Sequence, residues 1–138
     1  MKGVWIQMRI CIDLDGVICE LKTSDQSYSE LKPIPGAVEK IRKLKENGHY
    51  IIIYTARHMK TCEGNISKIL RKVGKITLDW LETYNIPYDE ICFGKPWAEI
   101  YIDDNAFRFE NWDDIKEDGS SFPKYKEDLF KQEIKKKE

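Results

Sequence analysis

The chain has no C-x-x-C pair, and its four cysteines (Cys11, Cys19, Cys62, Cys92) are too scattered for a zinc ligand set or a disulfide framework. No apolar run approaches the roughly 20 residues of a membrane-spanning helix, and the N-terminus lacks a signal-peptide pattern. The expectation is a cytoplasmic protein with no membrane partner. An excess of one charge is missing too. The formal net charge is −1 and no basic cluster stands near the motifs, so nothing recruits nucleic acid or anionic lipid. There is no internal repeat and no low-complexity domain. The 138 residues fit one domain spanning 1–138, with a core over about 8–118. Met8 opens the first strand pattern, so residues 1–7 read as an added or misannotated start.

What is present begins at Ile10-Cys11-Ile12-Asp13-Leu14-Asp15-Gly16-Val17-Ile18. A β-branched apolar stretch delivers two carboxylates, one residue apart, into a glycine turn. On a persisting strand both would project to one face beyond its carboxyl end. Two carboxylates there repel unless a cation joins them, and hard oxygen donors suit magnesium. One carboxylate can attack phosphorus while the other, kept protonated, hands a proton to the leaving group. Alone the triplet is weak, since most Asp-x-Asp-Gly sequences are surface turns.

Three later segments repeat the pattern. Tyr50–Tyr54 is a buried-strand run ending at Thr55-Ala56-Arg57. Ile91-Cys92-Phe93 runs into Gly94-Lys95-Pro96, and Ile100-Tyr101-Ile102 ends at Asp103-Asp104-Asn105. In an open parallel sheet, ligands bind beyond the carboxyl ends of the strands. Asp13, Asp15, Thr55, Lys95, Asp103 and Asp104 are thus expected in one crevice.

This ordered set, a DLDGV run, a threonine closing an apolar strand, a lone lysine and an aspartate pair, resembles the haloacid dehalogenase (HAD) superfamily over roughly residues 8 to 108. More narrowly, ELKPIPGA, YTARHMKTCEGN, PYDEI and GKPW resemble the small bacterial HAD phosphatases found with capsular polysaccharide biosynthesis. The resemblance implies a three-layer, Rossmann-like α/β core with a parallel sheet in the order 3-2-1-4. It also implies that Asp15 reaches the magnesium ion through its backbone carbonyl. Helices and strands consume the intervals from Asp13 to Thr55 and from Thr55 to Lys95, leaving no room for a separate cap domain.

Between the motifs, Cys19–Ile34 is polar and aperiodic and reads as a hairpin-like flap over the crevice. Pro35-Gly36 opens a helix with Val38, Ile41 and Leu44 on one face, stopped by Asn47-Gly48. Arg57–Asn65 is a polar loop. Ile66, Ile69, Leu70 and Val73 share a helical face, Gly74 interrupts it, and Leu78 and Leu81 resume on a helix that Pro87 ends. Glu110–Asp118 is a weak helix signal. A last helix over about 123–136 carries Tyr125, Leu129, Phe130 and Ile134.

Asp13 is the candidate nucleophile and Asp15 the general acid, then the base that activates water. Thr55 donates its hydroxyl to a phosphate oxygen, although a strand-end threonine alone is usually only β-branched filler. Lys95 neutralises the phosphoryl oxygens and holds Asp13; as one of 23 Lys and Arg residues it would by itself be presumed solvated. Asp103 is expected on the metal directly, with Asp104 direct or through water. Gly16, Thr55, Ala56, Arg57, His58 and Lys95 are the substrate-contact candidates. Arg57 either clamps a second anionic group or pairs with Asp104. His58 is more a loop residue than a catalyst, and Trp97 either stacks on a sugar ring or packs against the lysine loop.

The expected function is a magnesium-dependent phosphomonoesterase working through an aspartyl-phosphate on a small phosphorylated metabolite. The narrower resemblance implies a sugar or polyol phosphate of surface-polysaccharide synthesis. The alternative is a nucleotide or polynucleotide-end phosphatase. A receiver-type phosphoacceptor module fits less well, because its acidic pair comes first and its lysine last. A dehalogenase or phosphonatase would not keep Asp15 and would carry a cap. The apolar residues of Ile66–Leu81 and of the last helix suggest a homo-oligomer.

Overall fold

The computed structural model describes residues 7–122. Strand β1 covers Arg9–Asp13, helix α1 Ala37–Glu46, strand β2 Tyr50–Thr55 and strand β3 Glu90–Phe93. Between β2 and β3 lie α2 (Ile66–Ile69), a π-helical turn (Leu70–Gly74) and α3 (Lys75–Thr83). The expected C-terminal helix lies outside the described residues.

All strand pairing is parallel, in the order β1-β2-β3, with Asp13 beside Tyr54 and Thr55 beside Phe93. Both crossovers step the same way along the sheet, and right-handed crossovers then lay α1 and α3 on one face. Ile51 and Ile53 point into that face and share a core with Ile41 and Leu44 of α1 and Trp80 and Leu81 of α3. The opposite face is wetter: Cys11 is exposed, and Ile52 and Tyr54 are half-buried. The described residues therefore form two layers of the expected three.

The fourth strand of the expected 3-2-1-4 order does not form. Ile100–Ile102 is irregular, and Ile102 is 98% exposed. Local bonds explain this. The Gly94 and Lys95 N–H groups both donate to the Thr55 carbonyl, at 3.2 and 3.1 Å, and turn the chain across the end of β2. The Tyr101 hydroxyl then donates to the Pro96 carbonyl. In the described sheet β2, rather than the Asp13 strand, is central.

Helix α1 starts after Gly36, whose φ of +88° favours glycine, and its Ile41 and Leu44 are buried. Gly74 does not break the second helical run but sits in the π turn, which shifts the register of the buried stripe. Ile69, Val73, Thr77, Trp80 and Leu81 face inward, whereas Ile66, Leu70 and Leu78 stay exposed. The Glu110–Asp118 signal yields only a 3-10 turn, Trp112–Asp114.

The Cys19–Ile34 flap is hairpin-like. Cys19 bridges Pro33 antiparallel, and the Glu20 N–H donates to Lys32 O at 3.0 Å. Two buried indoles fasten the flap and its root: Trp80 Nε1 donates to Leu31 O and Trp112 Nε1 to Val17 O, each at 2.7 Å.

Candidate active site

Asp13 is the last residue of β1, so Asp15 lies beyond the alternating strand geometry, in a turn bridged to Cys19. The two carboxylates consequently do not share one set of partners. Asp13 belongs to the wetter side of the sheet end. Its Oδ2 lies 3.1 Å from Lys95 Nζ, and that ammonium stands 4.8 Å from the Tyr54 ring and 4.7 Å from the Tyr101 ring. Burial raises the Asp13 carboxyl above its ordinary value, opposed by the hydrogen bond and charge of Lys95 and assisted by the charge of Asp15. Burial pulls Lys95 down, but the Asp13 hydrogen bond and charge outweigh it and the net shift is upward.

Asp15 turns to the helix-covered side. Its Oδ2 accepts the Thr55 hydroxyl at 2.9 Å, and its Oδ1 accepts Arg57 Nε and Nη2, both at 3.0 Å. The Cys19 thiol also donates to Oδ1, at 3.5 Å. Burial and then the Asp15 charge push that thiol up to about 12, so it remains a neutral donor. Arg57 is held in turn by Thr77 Oγ1, 2.9 Å from Nη1, and by the face of Tyr28, 4.0 Å from its guanidinium carbon.

Arg57 thus meets neither expectation held for it. Its side chain is 1% exposed and pairs with Asp15, out of reach of a distal anionic group. The Gly16 N–H is likewise spent inside the protein, donating to Cys19 O at 2.8 Å, and is not turned to a ligand. Ala56 is half-buried, with its carbonyl accepting from Met59 N at 3.0 Å. His58 has a left-handed φ of +59° and its ring meets Tyr28 edge-on; its buried Nδ1 has no hydrogen-bond partner. Burial, then Lys72, Lys22 and Arg57, depress its basicity, which keeps the ring neutral. Trp97 is exposed and carries Lys60 Nζ 4.5 Å from its ring.

Asp103 and Asp104 are not brought to the carboxylates. Both are exposed, and Asp103 Oδ1 accepts the Asn105 N–H in a local turn. Among the described residues, no group of three or more His, Cys, Asp or Glu side chains is placed to hold a metal ion. The oxygen donors are of the type magnesium takes, but as arranged they do not form its ligand set.

Sequence reasoning missed Tyr28, Cys19 and Thr77 around Asp15, and Tyr54 and Tyr101 around Lys95. Thr77 had a readable signal: it is a hydroxyl on the buried stripe of an amphipathic helix, where a polar group needs a partner. Nothing in the flap sequence marked Tyr28.

No family model matches the chain. A protein from Chlorobaculum tepidum, described as "Putative 5'(3')-deoxyribonucleotidase", is 32% identical over 87 residues, 60% of this chain. The chain spans about 40% of the length of that relative. The crystal structure of a target protein from Vibrio cholerae is 36% identical, with a TM-score of 0.69, over 93% of this chain and 99% of that one. A D,D-heptose 1.7-bisphosphate phosphatase from B. bronchiseptica, complexed with magnesium and phosphate, is 17% identical over 64% of this chain and 49% of its own. Its TM-score is 0.45.

Proposed function

We propose that this chain, which belongs to the same family as the Vibrio cholerae protein and by its ordered motifs resembles the HAD superfamily, is a phosphomonoesterase. One observation carries this reading: the Asp13–Lys95 ion pair stands at the carboxyl end of the sheet beside the Asp15–Thr55 hydrogen bond. In the proposed reaction a carboxylate oxygen of Asp13 bonds to phosphorus as the ester P–O bond breaks. The leaving oxygen takes its proton from Asp15. Water then attacks the phosphorus of the aspartyl-phosphate and gives a proton to Asp15, which releases phosphate and restores Asp13. Lys95 offsets charge on the phosphoryl oxygens and keeps Asp13 from rotating away.

Magnesium belongs to this reading by donor type and by charge. When bound, it would offset the dianionic charge of the ester. Asp13 and the Asp15 carbonyl, with Asp103 and Asp104 if that segment closed, would hold it; as arranged, these residues do not form its ligand set.

For the substrate we propose a sugar or polyol phosphate of surface-polysaccharide synthesis, supported by the loop sequences ELKPIPGA and GKPW. A nucleoside monophosphate is the second reading, favoured by the description of the Chlorobaculum tepidum relative. Phosphate release from the purified protein with magnesium separates the two. The panel is sugar phosphates, polyol phosphates, and deoxynucleoside 5'- and 3'-monophosphates. The highest kcat/KM on a sugar or polyol phosphate is expected. A preference for deoxynucleotides would select the second reading, and no release from any ester would overturn the phosphatase itself.

A further inference from the structure

The hydrogen bonds around Asp15 present a proton-counting problem whose solution assigns a role to Arg57. Thr55 has one hydroxyl proton, and it is donated to Asp15 Oδ2 at 2.9 Å. Thr55 Oγ1 itself accepts the Arg57 backbone N–H at 3.1 Å. Thr55 therefore cannot serve a phosphoryl oxygen without releasing Asp15. Something else must then hold the carboxyl in place.

Arg57 is built for that. Nε and Nη2 converge on Asp15 Oδ1 at 3.0 Å each, while Nε reaches Oδ2 at only 3.2 Å. Nη1 is committed to Thr77 Oγ1, and Thr77 is fully buried on α3. The Tyr28 ring flanks the guanidinium at 4.0 Å. A planar fork fixed at its far edge and along its flank loses little freedom in gripping a carboxylate. It grips Oδ1 with two donors and shares Oδ2, where Thr55 is the closer donor.

We propose that Arg57 is a positioning residue: anchored by Thr77 and Tyr28, it keeps the Asp15 carboxyl aligned for proton transfer while Thr55 turns its hydroxyl to the phosphoryl group. On substrate binding the Thr55–Oδ2 hydrogen bond breaks and a Thr55–phosphoryl hydrogen bond forms. Oδ2 is then the oxygen that gives its proton to the leaving group and later takes one from water, with Oδ1 held throughout. This rests on the phosphatase reading above and extends it.

Leaving-group dependence tests the inference, since proton delivery matters for an alkoxide leaving group and little for 4-nitrophenoxide. In Arg57→Gln, kcat/KM on an alkyl phosphate should fall by roughly 10²-fold or more, against less than about tenfold on 4-nitrophenyl phosphate. The loss should lie in kcat with KM nearly unchanged. Arg57→Lys should recover part of it. Thr77→Val, which leaves Arg57 in place, should show a smaller loss with the same leaving-group bias, so the test survives if Arg57→Gln does not fold. Equal losses on both esters in folded Arg57→Lys and Thr77→Val protein would overturn the inference alone, as would a loss confined to KM. A wild-type protein that hydrolyses neither ester with magnesium present would overturn the phosphatase reading and this inference together.

Discussion

Asp13 and Asp15 are two positions apart in the chain, yet they answer to opposite sides of the sheet, and that division separates the effects of removing each. Under the proposed mechanism Asp13→Asn takes away the group that bonds to phosphorus, so turnover and covalent phosphate labelling should both vanish. Asp15→Asn keeps that group but removes proton delivery and water activation, typically worth about 10²–10⁴-fold. It should retain slow labelling by an activated phosphodonor such as acetyl phosphate. Quantifying acid-stable, hydroxylamine-labile phosphate on each variant checks the pair; labelling of Asp13→Asn would overturn the assignment. The types of these residues were legible because each closes an apolar run. Their partners were not: alternation applies only while a strand lasts, and β1 stops at Asp13. Arg57 was ambiguous for a related reason, since nothing in TAR says whether its guanidinium points out of the crevice or back beneath Asp15.

At the scale of elements, β3 is registered by one side chain just ahead of it. Asp89 Oδ2 accepts the Ile51 N–H at 2.7 Å and Lys45 Nζ at 2.5 Å, tying α1, β2 and the entry to β3 at one point. The Lys45 hydrogen bond first, then the Ile51 N–H, holds the Asp89 carboxyl below its ordinary 3.8. A depressed folded-state value means that this stability is present above about pH 3.8 and is lost as pH falls through the folded value. Asp89→Asn should therefore lower Tm at pH 7, with the gap from wild type closing in acid below that value. A gap independent of pH would assign the effect to the Ile51 hydrogen bond alone. Helix α1 and strands β2 and β3 were readable from apolar spacing and from the Pro35-Gly36 and Asn47-Gly48 signals. Two elements were not. The π turn displaced the buried stripe so that Thr77 and Trp80, rather than Leu78, face the core. Ile100–Ile102 has the composition of a strand but lies past the turn that Gly94 and Lys95 make across the end of β2 and pairs with no described strand, which composition cannot register.

For the molecule as a whole, the two crossovers step in one direction and put α1 and α3 on one face, which leaves the sheet end as the place where the two sides meet. Parallel α/β organisation followed from the alternation of strand and helix patterns. The edge of the sheet, which depends on where one segment docks, did not. The same geometry sets a charge balance. Asp13 is paired with Lys95 and Asp15 with Arg57, so the two cations at the sheet end already neutralise the two carboxylates. Once Asp15 carries the proton it gives to the leaving group, one positive charge is left uncompensated, short of the two charges of a phosphate dianion, and the overall net charge of −1 supplies no long-range attraction. Under the proposed function the missing charge has to come with a divalent cation. Turnover should therefore vanish on chelation and return with added magnesium. Asp103→Asn should raise the magnesium concentration needed for half-maximal rate, whereas Asp118→Asn, a half-buried acid in the Lys116–Ser120 turn, should not change it. The measurement is a magnesium titration of kcat/KM for wild type and both variants. Undiminished turnover by protein shown to be metal-free would mean that Lys95 and the site's hydrogen-bond donors suffice for the dianion. An identical magnesium dependence in Asp103→Asn would instead place the ion on Asp13 without that residue.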